Sequence, residues 1–312
     1  MLNQKRQIMK KLNFLTPVMA ISVLSFVLFF SCTKDNDSVS LSDADVEIAE
    51  DDAIIDEIYE EVDATVESEV YDLDKNGYQS VSLKSVTEDV CRTVTVDHPD
   101  STYFPKIITI DYGDGCSTVI NGDTIIKSGK IIVEVTDRWF VPGAQRIVTF
   151  EDYYVNNMKI EGTRTITNEG LNDELNLQFH IVLEDGKITV NDTLFYTRES
   201  DRTRIWVITD NPLTDTVFVT GTMEGINFSG LEYSREIIEP LTIIRCSEYS
   251  YRWKIVSGEI LCIVGEEEWI LDFGDGTCDR TTQITRTRDG ATKELGLTNR
   301  RRHLRRLSQP GL

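Results

Sequence analysis

The side chains best suited to catalysis form no recognisable constellation in this chain. Its three histidines are His98, His180 and His303, and none has a metal ligand or nucleophile at a characteristic spacing. The sequence contains no HExxH, G-x-S-x-G, P-loop, G-x-G-x-x-G or C-x-x-C motif. Because Asp and Glu number 53, a carboxylate pair of the kind that glycoside hydrolases use would arise by chance. We predict that the chain is not an enzyme and needs no cofactor, with a glycoside hydrolase as the remaining alternative.

Residues 72–77 have the beginning of a calcium-binding loop. Asp72, Asp74 and Asn76 alternate and are followed by glycine, which is the order of the first ligands in an EF-hand. The second half of the pattern fails, because Gln79 stands where an apolar residue belongs and Leu83 where a bidentate glutamate is needed. We predict a polar turn after a helix and no metal site, with Asp72, Asp74 and Asn76 as weak candidate ligands.

Cys32 is the residue whose chemistry the sequence specifies best. In residues 1–31, four basic residues precede an apolar run that extends to residue 30. This is the architecture of a signal peptide, and Ser31 supplies the small residue that a lipobox places before its acylated cysteine. A transmembrane helix is less favoured, because the chain becomes polar directly after Cys32. We predict cleavage of residues 1–31, lipidation of Cys32 and anchorage in a lipid bilayer.

Residues 32–42 are polar and aperiodic, which predicts a flexible tether. Thr33 stands where an aspartate would resemble an inner-membrane retention signal. The acidic residues after it resemble the surface-export signal of Bacteroidota lipoproteins. These features favour the outer membrane and its outer face, with the inner face as the alternative.

A strongly acidic segment comes after the tether. Residues 41–75 contain fifteen acids and one lysine, and apolar residues recur at 48, 55, 59, 62 and 66, the spacing of one helix face. We predict an amphipathic helix over 43–70 with Ser42 as its N-cap. Packing of this helix on its own domain is favoured over binding to a partner. The formal net charge of -21 repels phosphate backbones, so the chain is predicted not to bind nucleic acid.

From 79 to 298 the helical period is absent, and short runs rich in Val, Ile, Thr and aromatic residues alternate in polarity. Turn signals such as Asp185-Gly186 and Asp289-Gly290 separate them. Alternation indicates one buried face per strand. We therefore expect a mainly β fold, an antiparallel meander curled into a barrel-like or two-sheet body. Runs predicted as separate strands include 174–183 and 187–190, 193–197 and 204–208, and 230–237 and 241–246.

One stretch of sequence occurs twice. Residues 107–116 (IITIDYGDGC) recur as residues 269–278 (WILDFGDGTC). Each is a predicted strand that ends in a Gly-Asp-Gly turn and comes after another strand. We expect the same hairpin near both ends of the β region.

Five cysteines remain besides the lipidated one, and an exported protein meets an oxidising compartment. Folding the first hairpin about its loop brings Cys91 and Cys116 within bridging distance. In the second hairpin, Cys262 falls opposite residue 270, too far from Cys278 to bridge it. We predict Cys91–Cys116 and Cys246–Cys278 disulfides and a buried Cys262 outside them.

Four hydroxyl residues come directly after an aspartate and precede an apolar residue: Ser38, Thr124, Thr193 and Thr216. This pattern resembles the O-glycosylation acceptor of Bacteroidota envelope proteins. We predict that at least one of the four carries a glycan.

Several segments together resemble a family of Bacteroidota surface lipoproteins with repeated DYGDGC and DFGDGTCD hairpins. They are the run 104–106 leading into IDYGDGC, then 149–155 (TFEDYYV), 161–163 (EGT), 240–241 (PL) and 271–279 (LDFGDGTCD). The resemblance covers nearly all of the mature chain. It implies a lineage and an envelope location, and it implies no activity, cofactor or substrate.

The last residues reverse the charge of the chain, since 299–312 contain five arginines and no acid. Basic tails are typical of nucleic-acid binding, but the compartment and the net charge argue against it. Anionic lipopolysaccharide and the acidic helix are alternative partners. We predict a solvated, disordered tail.

These features together favour a non-catalytic binding or structural role in the envelope, with a glycan or an envelope protein as partner. The alternative is a lipoprotein that binds or cleaves glycans. An exposed row made by Trp139, Trp206, Trp253 and Trp269 beside a concave carboxylate pair would favour that alternative.

Overall fold

The computed structural model describes residues 41, 43–78, 91–97, 103–120, 123–247, 252–279 and 281–296. All of them belong to one structural unit, Val39–Leu312. The predictions for Cys32, Ser38 and Ser42, for residues 1–31 and for the tail 299–312 lie outside the described residues.

One long helix, α1 (Asp43–Lys75), precedes the sheet. It ends at Lys75 rather than at 70 because a Schellman cap closes it. The Tyr78 N–H donates to the Leu73 carbonyl at 2.7 Å, and the Gly77 N–H donates to the Asp74 carbonyl at 3.1 Å. Gly77 has a φ of +69°, the left-handed conformation that this cap requires.

The residues weighed as calcium ligands therefore form a helix terminus. Asp72 is exposed, and its carbonyl accepts a hydrogen bond from the Asn76 side chain at 2.8 Å. The Asp74 carboxylate faces Arg138 at 3.9 Å. The Asn76 side chain therefore serves the helix end, and the Asp74 side chain faces the loop between β4 and β5.

Fourteen strands lie within the described residues. They are β1 (Thr93–Val96), β2 (Lys106–Asp111), β3 (Cys116–Ile120), β4 (Asp123–Val135), β5 (Gln145–Val155), β6 (Met158–Leu171), β7 (Leu177–Val190), β8 (Leu194–Val207), β9 (Thr216–Ile226), β10 (Glu232–Cys246), β11 (Arg252–Val264), β12 (Glu267–Asp275), β13 (Thr281–Arg286) and β14 (Thr292–Gly296).

The strands form one antiparallel sheet in the order β1-β2-β4-β5-β6-β7-β8-β9-β10-β11-β12-β13-β14, and β3 pairs with β4 off this path. The prediction of a mainly β, antiparallel fold with one N-terminal helix is confirmed. The body is a single continuous sheet that curls around α1 and stays open between β1 and β14. The helix fills the curl, so closure of the sheet is not needed to bury its inner face.

Three pairs of predicted short strands are single long strands: β7, β8 and β10. In β7, Asp185-Gly186 forms a bulge rather than a turn, because the register with β8 shifts between Leu183 and Gly186. A bulge inserts one residue and breaks the alternation just as a turn does. In β8 the alternation is masked because Arg198, Ser200 and Arg202 are buried on the inner face.

The apolar stripe of α1 lies in the core. Ile55, Tyr59, Val62 and Val66 are at most 3% exposed, and they face inner residues of the sheet such as Ile131. The helix therefore packs on its own domain, which is the favoured prediction.

The repeated sequence forms equivalent hairpins, β1–β2 and β11–β12. In both, the aspartate before the turn accepts the N–H of the glycine two residues later. The distances are 2.7 Å from Gly113 to Asp111 and 2.8 Å from Gly274 to Asp272. The same Asx-turn shapes both copies.

Both predicted disulfides are confirmed. Cys91–Cys116 and Cys246–Cys278 have Cα–Cα distances of 5.4 and 5.7 Å. Cys262 is buried and outside any disulfide. Its partner in register is Trp269, one residue from the predicted position 270.

Candidate binding surfaces

The acidic helix meets the sheet through arginine side chains that point into the curl. Asp56, in the middle of α1, binds the guanidinium groups of Arg198 and Arg202 on β8, with N–O distances of 2.5 and 2.8 Å. Its second oxygen binds Arg235 on β10 at 2.9 Å. One carboxylate therefore ties the helix to two strands.

Two further carboxylates continue this row along α1. Glu60 binds Arg202 and Arg204 at 3.2 and 3.1 Å. Asp63 binds Arg164 on β6 and lies 3.7 Å from Arg204. The three carboxylates are spaced by four and three residues, so they share one face of the helix. This row sets the position of α1 across β6, β8 and β10.

The arginines determine the charge state of Asp56. Desolvation between helix and sheet by itself would raise the pKa of Asp56, although 26% of its side-chain surface stays accessible. The positive charges of Arg198, Arg235 and Arg202 outweigh this effect and hold the pKa well below its usual value. Asp56 is therefore ionised throughout the neutral range.

A second polar contact lies nearer the C-terminal end of α1. The guanidinium of Arg146 stacks on Trp139, with 3.4 Å between its central carbon and the ring centre. Burial lowers the pKa of Arg146 to about 10, and burial raises the pKa of Glu67 against the attraction of Arg204 and Arg146. Trp139 is thus a buried platform for an arginine of the same chain.

The two ends of the sheet are named here by where α1 begins and where it ends. At the entry end, where the helix begins, Ile48 and Ala49 lie beside Tyr233 and Val264. At the far end, where it finishes, the ring of Tyr78 packs edge-on against Phe104, with 5.4 Å between ring centres. The loops β1–β2, β4–β5, β6–β7 and β8–β9 all lie at the far end, because antiparallel neighbours turn alternately at the two ends.

These four loops expose large apolar side chains. We call the set the far-end rim: Tyr103 (82% exposed), Phe140 (56%), Val141 (37%), Leu171 (60%), Leu175 (76%), Ile208 (52%) and Leu213 (44%). Among the described residues, the entry end exposes fewer, namely Ile126, Leu194, Phe195, Leu231 and Ile263. Apolar side chains grouped on neighbouring loops are typical of an interaction surface.

Hydrogen bonds hold the rim loops in place. The Gly143 N–H donates to the Asn168 carbonyl at 2.7 Å, and the Asn168 side chain donates to the Trp139 carbonyl at 2.8 Å. These bonds join the β4–β5 loop to the end of β6. In the β8–β9 loop, the Asn211 carboxamide caps a short 3-10 turn by accepting the Leu213 N–H at 3.2 Å. The exposed side chains therefore stand on ordered backbone.

A second surface is an acidic depression on the outer face of β7–β11, with a volume of about 540 Å³. Its carboxylates are Glu184, Glu199, Asp201, Glu224 and Glu236. Partial burial and the nearby acids raise the pKa of one of them, Glu199. Beside the depression, His180 Nε2 lies 2.8 Å from the Asp201 carboxylate. None of the four tryptophans lines this surface.

The tryptophans are distributed over the inner face. Trp139 and Trp269 are 4% and 3% exposed. Trp206 and Trp253 are half-buried and meet edge to face, with ring centres 6.4 Å apart. The exposed row that would favour sugar stacking is not formed by these four side chains.

The candidate glycosylation residues within the described chain occupy different settings. Thr124 on β4 and Thr193 in the β7–β8 turn are exposed, whereas Thr216 at the start of β9 is half-buried. The aspartate before it, Asp215, is buried and accepts the Thr209 N–H at 2.8 Å. Thr124 and Thr193 are therefore the more accessible acceptors.

Sequence reasoning did not identify the far-end rim or the inner arginines. The sequence does contain a signal for the rim, namely apolar residues inside predicted turns. Leu175 lies among polar turn residues, and Phe140-Val141 directly precedes the turn residues Pro142-Gly143. The sequence signal for the arginines is their even spacing at 198, 202 and 204, which places all three on the same face of one strand. That face must meet an acidic helix.

Among the described residues, no helix combines the length and the apolar character needed to cross a bilayer. Within the same part of the chain, no group of three or more His, Cys, Asp or Glu side chains could hold a metal ion. Comparison of the chain with family models, curated proteins and solved structures finds no match.

Proposed function

We propose that this chain is a lipid-anchored outer-membrane protein of the Bacteroidota type, facing outward, that binds an envelope protein through the far-end rim without catalysis. The observation that carries the proposal is the grouping of seven exposed apolar side chains on four loops at one end. Their exposure costs solubility unless a partner covers them.

The position of the rim supports its role. α1 has 33 residues, which corresponds to about 50 Å between the entry end and the far end. Cys32 precedes α1 in the chain, so an acyl anchor on this cysteine is connected to the entry end through residues 33–42. The rim lies at the opposite end of α1 from this connection, which leaves it accessible to other envelope proteins.

The glycan alternative has less support. The acidic depression supplies carboxylates, but its lining contains no tryptophan, tyrosine or phenylalanine on which a sugar ring could stack. The buried Trp139 and Trp269 serve the core. A rim-bound protein partner is therefore the better hypothesis.

Site-specific photo-crosslinking in the native host tests the rim. A photoreactive residue at Leu175, on the rim, is expected to give one discrete crosslinked species. The matched control is the same residue at Leu231, which is 45% exposed at the entry end and is expected to give none. Equal crosslinking at the two positions, or none at Leu175, would refute the proposed surface.

The anchor is tested separately by Cys32→Ala. We expect this variant to remain unprocessed or to leave the membrane fraction, because Cys32 alone comes after both the apolar run and a small residue. Cys262→Ala is the control and should be processed and anchored as the parent. A Cys32→Ala protein that stays membrane-bound with the mature mass would contradict lipidation.

A further inference from the structure

The electric charge around the far-end rim is strongly unbalanced. In the described residues of its four loops, carboxylates outnumber cationic side chains by six to one. The carboxylates are Asp97, Asp137, Asp173, Glu174, Asp210 and Asp215, and the cation is Arg138. Arg138 itself faces the Asp74 carboxylate at 3.9 Å, so its charge is partly compensated within the chain. The apolar side chains of the rim therefore stand in a field of negative charge.

Three of the carboxylates serve the loops themselves. Those of Asp97, Asp137 and Asp215 accept backbone N–H groups, and Asp215 is buried. Such bonds satisfy the carboxylate inside the protein and need no partner.

The other three carboxylates are exposed beside apolar rim residues. Asp173 and Glu174 directly precede Leu175, and Asp210 follows Ile208 by two residues. None of the ion pairs in the described part of the chain includes one of these three acids. A partner that covers the rim removes water from them, and burial of an uncompensated carboxylate costs free energy. A partner that fits this surface must therefore bring positive charge.

The size of the rim indicates a folded partner. Its four loops join consecutive pairs of strands, so neighbouring loops lie two strand spacings, about 10 Å, apart. Four loops in a row form an arc of about 30 Å. A standard protein–protein interface covers about 800 Å² on each side, which corresponds to a patch about 30 Å across. A sugar or a short peptide would cover only part of this arc.

We propose that the partner of the far-end rim is a folded envelope protein whose contact surface has an apolar centre bordered by lysine or arginine side chains. This inference rests on the proposed binding role of the rim and adds the chemistry of the partner. The apolar centre covers side chains such as Phe140 and Leu175, and the basic border meets Asp173, Glu174 and Asp210. The buried centre supplies most of the affinity, whereas the border charges steer the encounter and select the partner.

The same charges disfavour two other occupants. A second copy of this chain, docked about a two-fold axis, would place the acidic loops against identical acidic loops. A membrane surface with anionic headgroups would repel the exposed carboxylates in the same way. Because like-charge contacts oppose association, both occupants are less favourable than a basic protein surface.

Charge reversal on the rim tests the proposal. The full-length lipoprotein carries the photoreactive residue at Leu175 together with Asp173→Lys and Asp210→Lys, and crosslinking is followed over time in detergent-solubilised membranes of the native host. We expect the initial rate of crosslinking to fall at least about tenfold relative to the protein without the two lysines, because border charges control the rate of association.

The matched control reverses two exposed carboxylates at the entry end. Glu232→Lys and Glu266→Lys change the net charge by the same amount as the rim variant and lie outside the rim loops. The rate of crosslinking at Leu175 should stay within about twofold of the parent rate in this control. The comparison separates the local charge of the rim from the charge of the whole molecule.

Salt dependence gives a second measurement that needs no charge variant. Raising the sodium chloride concentration from about 50 to about 500 mM shortens the Debye length from roughly 14 to roughly 4 Å. Crosslinking at Leu175 should then slow at least about fivefold in the parent, and the rim variant should lose this dependence.

The outcomes distinguish this inference from the proposed function. A rate at Leu175 that is equal in the parent and the rim variant, or that does not respond to salt, overturns the basic partner and leaves the rim as a binding surface. A crosslinked species with the mass of two copies of this chain, or a lipid adduct, identifies a different occupant and overturns it as well. Absence of any crosslinked species at Leu175 overturns both proposals.

Discussion

Asp56 is the residue on which the contact between helix and sheet depends most. Replacing a buried ion pair by apolar residues is often neutral, but removing one partner leaves a buried charge without compensation. Asp56 compensates three arginines, of which Arg198 and Arg235 are almost fully buried. Its loss therefore costs more than the contacts alone suggest.

We expect Asp56→Asn to lower the free energy of unfolding by about 3–5 kcal/mol, measured by urea denaturation at pH 7. The matched control is Glu151→Gln, which removes the exposed ion pair with Lys130 and should have a far smaller effect, because solvent screens exposed pairs. Equal losses in the two variants would show that the buried row is not special.

The same residue gives a pH dependence with a defined sign. The pKa of Asp56 is depressed in the folded state, so its charged form contributes stability above the unfolded value of about 3.9, and this contribution is lost as the pH falls through the folded value. The difference in unfolding free energy between the parent and Asp56→Asn should therefore shrink steadily below pH 4. A constant difference down to pH 2 would argue that Asp56 acts through packing alone.

At the level of elements, glycines let the long strands approach one another while the sheet bends. Gly221 on β9 has a φ of +132°, and a Cβ atom there would lie 2.1 Å from the Asp201 carbonyl oxygen on β8. No other residue fits without moving one of these strands. Register shifts also occur in β7 and in β10, and bulges of this kind bend a strand.

We expect Gly221→Ala to destabilise the fold by about 2–4 kcal/mol, because it combines a backbone clash with an unfavourable φ. Gly115→Ala is the control. Gly115 has an ordinary φ, and its nearest neighbour would be Ile126 Cγ2 at 3.8 Å, so its effect should stay within about 1 kcal/mol. Thermal melts of the two variants make the comparison, and a Gly221→Ala protein as stable as Gly115→Ala would exclude the close approach.

For the whole molecule, stability resides in the sheet and the helix that fills it. The described strands end with β14 at Gly296. Five residues of β13, Thr281 to Thr285, pair with five residues of β14, Gly296 to Thr292. The disulfides Cys91–Cys116 and Cys246–Cys278 lie toward the two edges of the sheet, where strands have fewer neighbours.

We therefore expect deletion of residues 299–312 to leave the melting temperature within about 2 °C of the parent, since a change of 1 kcal/mol would shift it by 2–4 °C in a chain of this size. Deletion of residues 292–312, which also removes β14, is the comparison and should lower it clearly. A large drop from the shorter deletion would mean that the basic tail packs into the fold.

The sequence by itself determined the features that depend on local pattern. Alternating polarity predicted the mainly β class, the stripe at 55, 59, 62 and 66 predicted the buried helix face, and the repeated hairpins led to both disulfides. These properties derive from the period of side chains along one element. The register of the second hairpin, which excluded a Cys262–Cys278 bond, was predicted to within one residue.

Only the tertiary structure decided which residues meet across elements. Strand lengths in β7, β8 and β10 were underestimated, because bulges and inward-facing arginines interrupt alternation as turns do. The pairing of Asp56 with arginines more than a hundred residues away and the grouping of four loops in the far-end rim depend on how the sheet curls around α1. Such contacts arise from strand order and curvature, which no local pattern encodes.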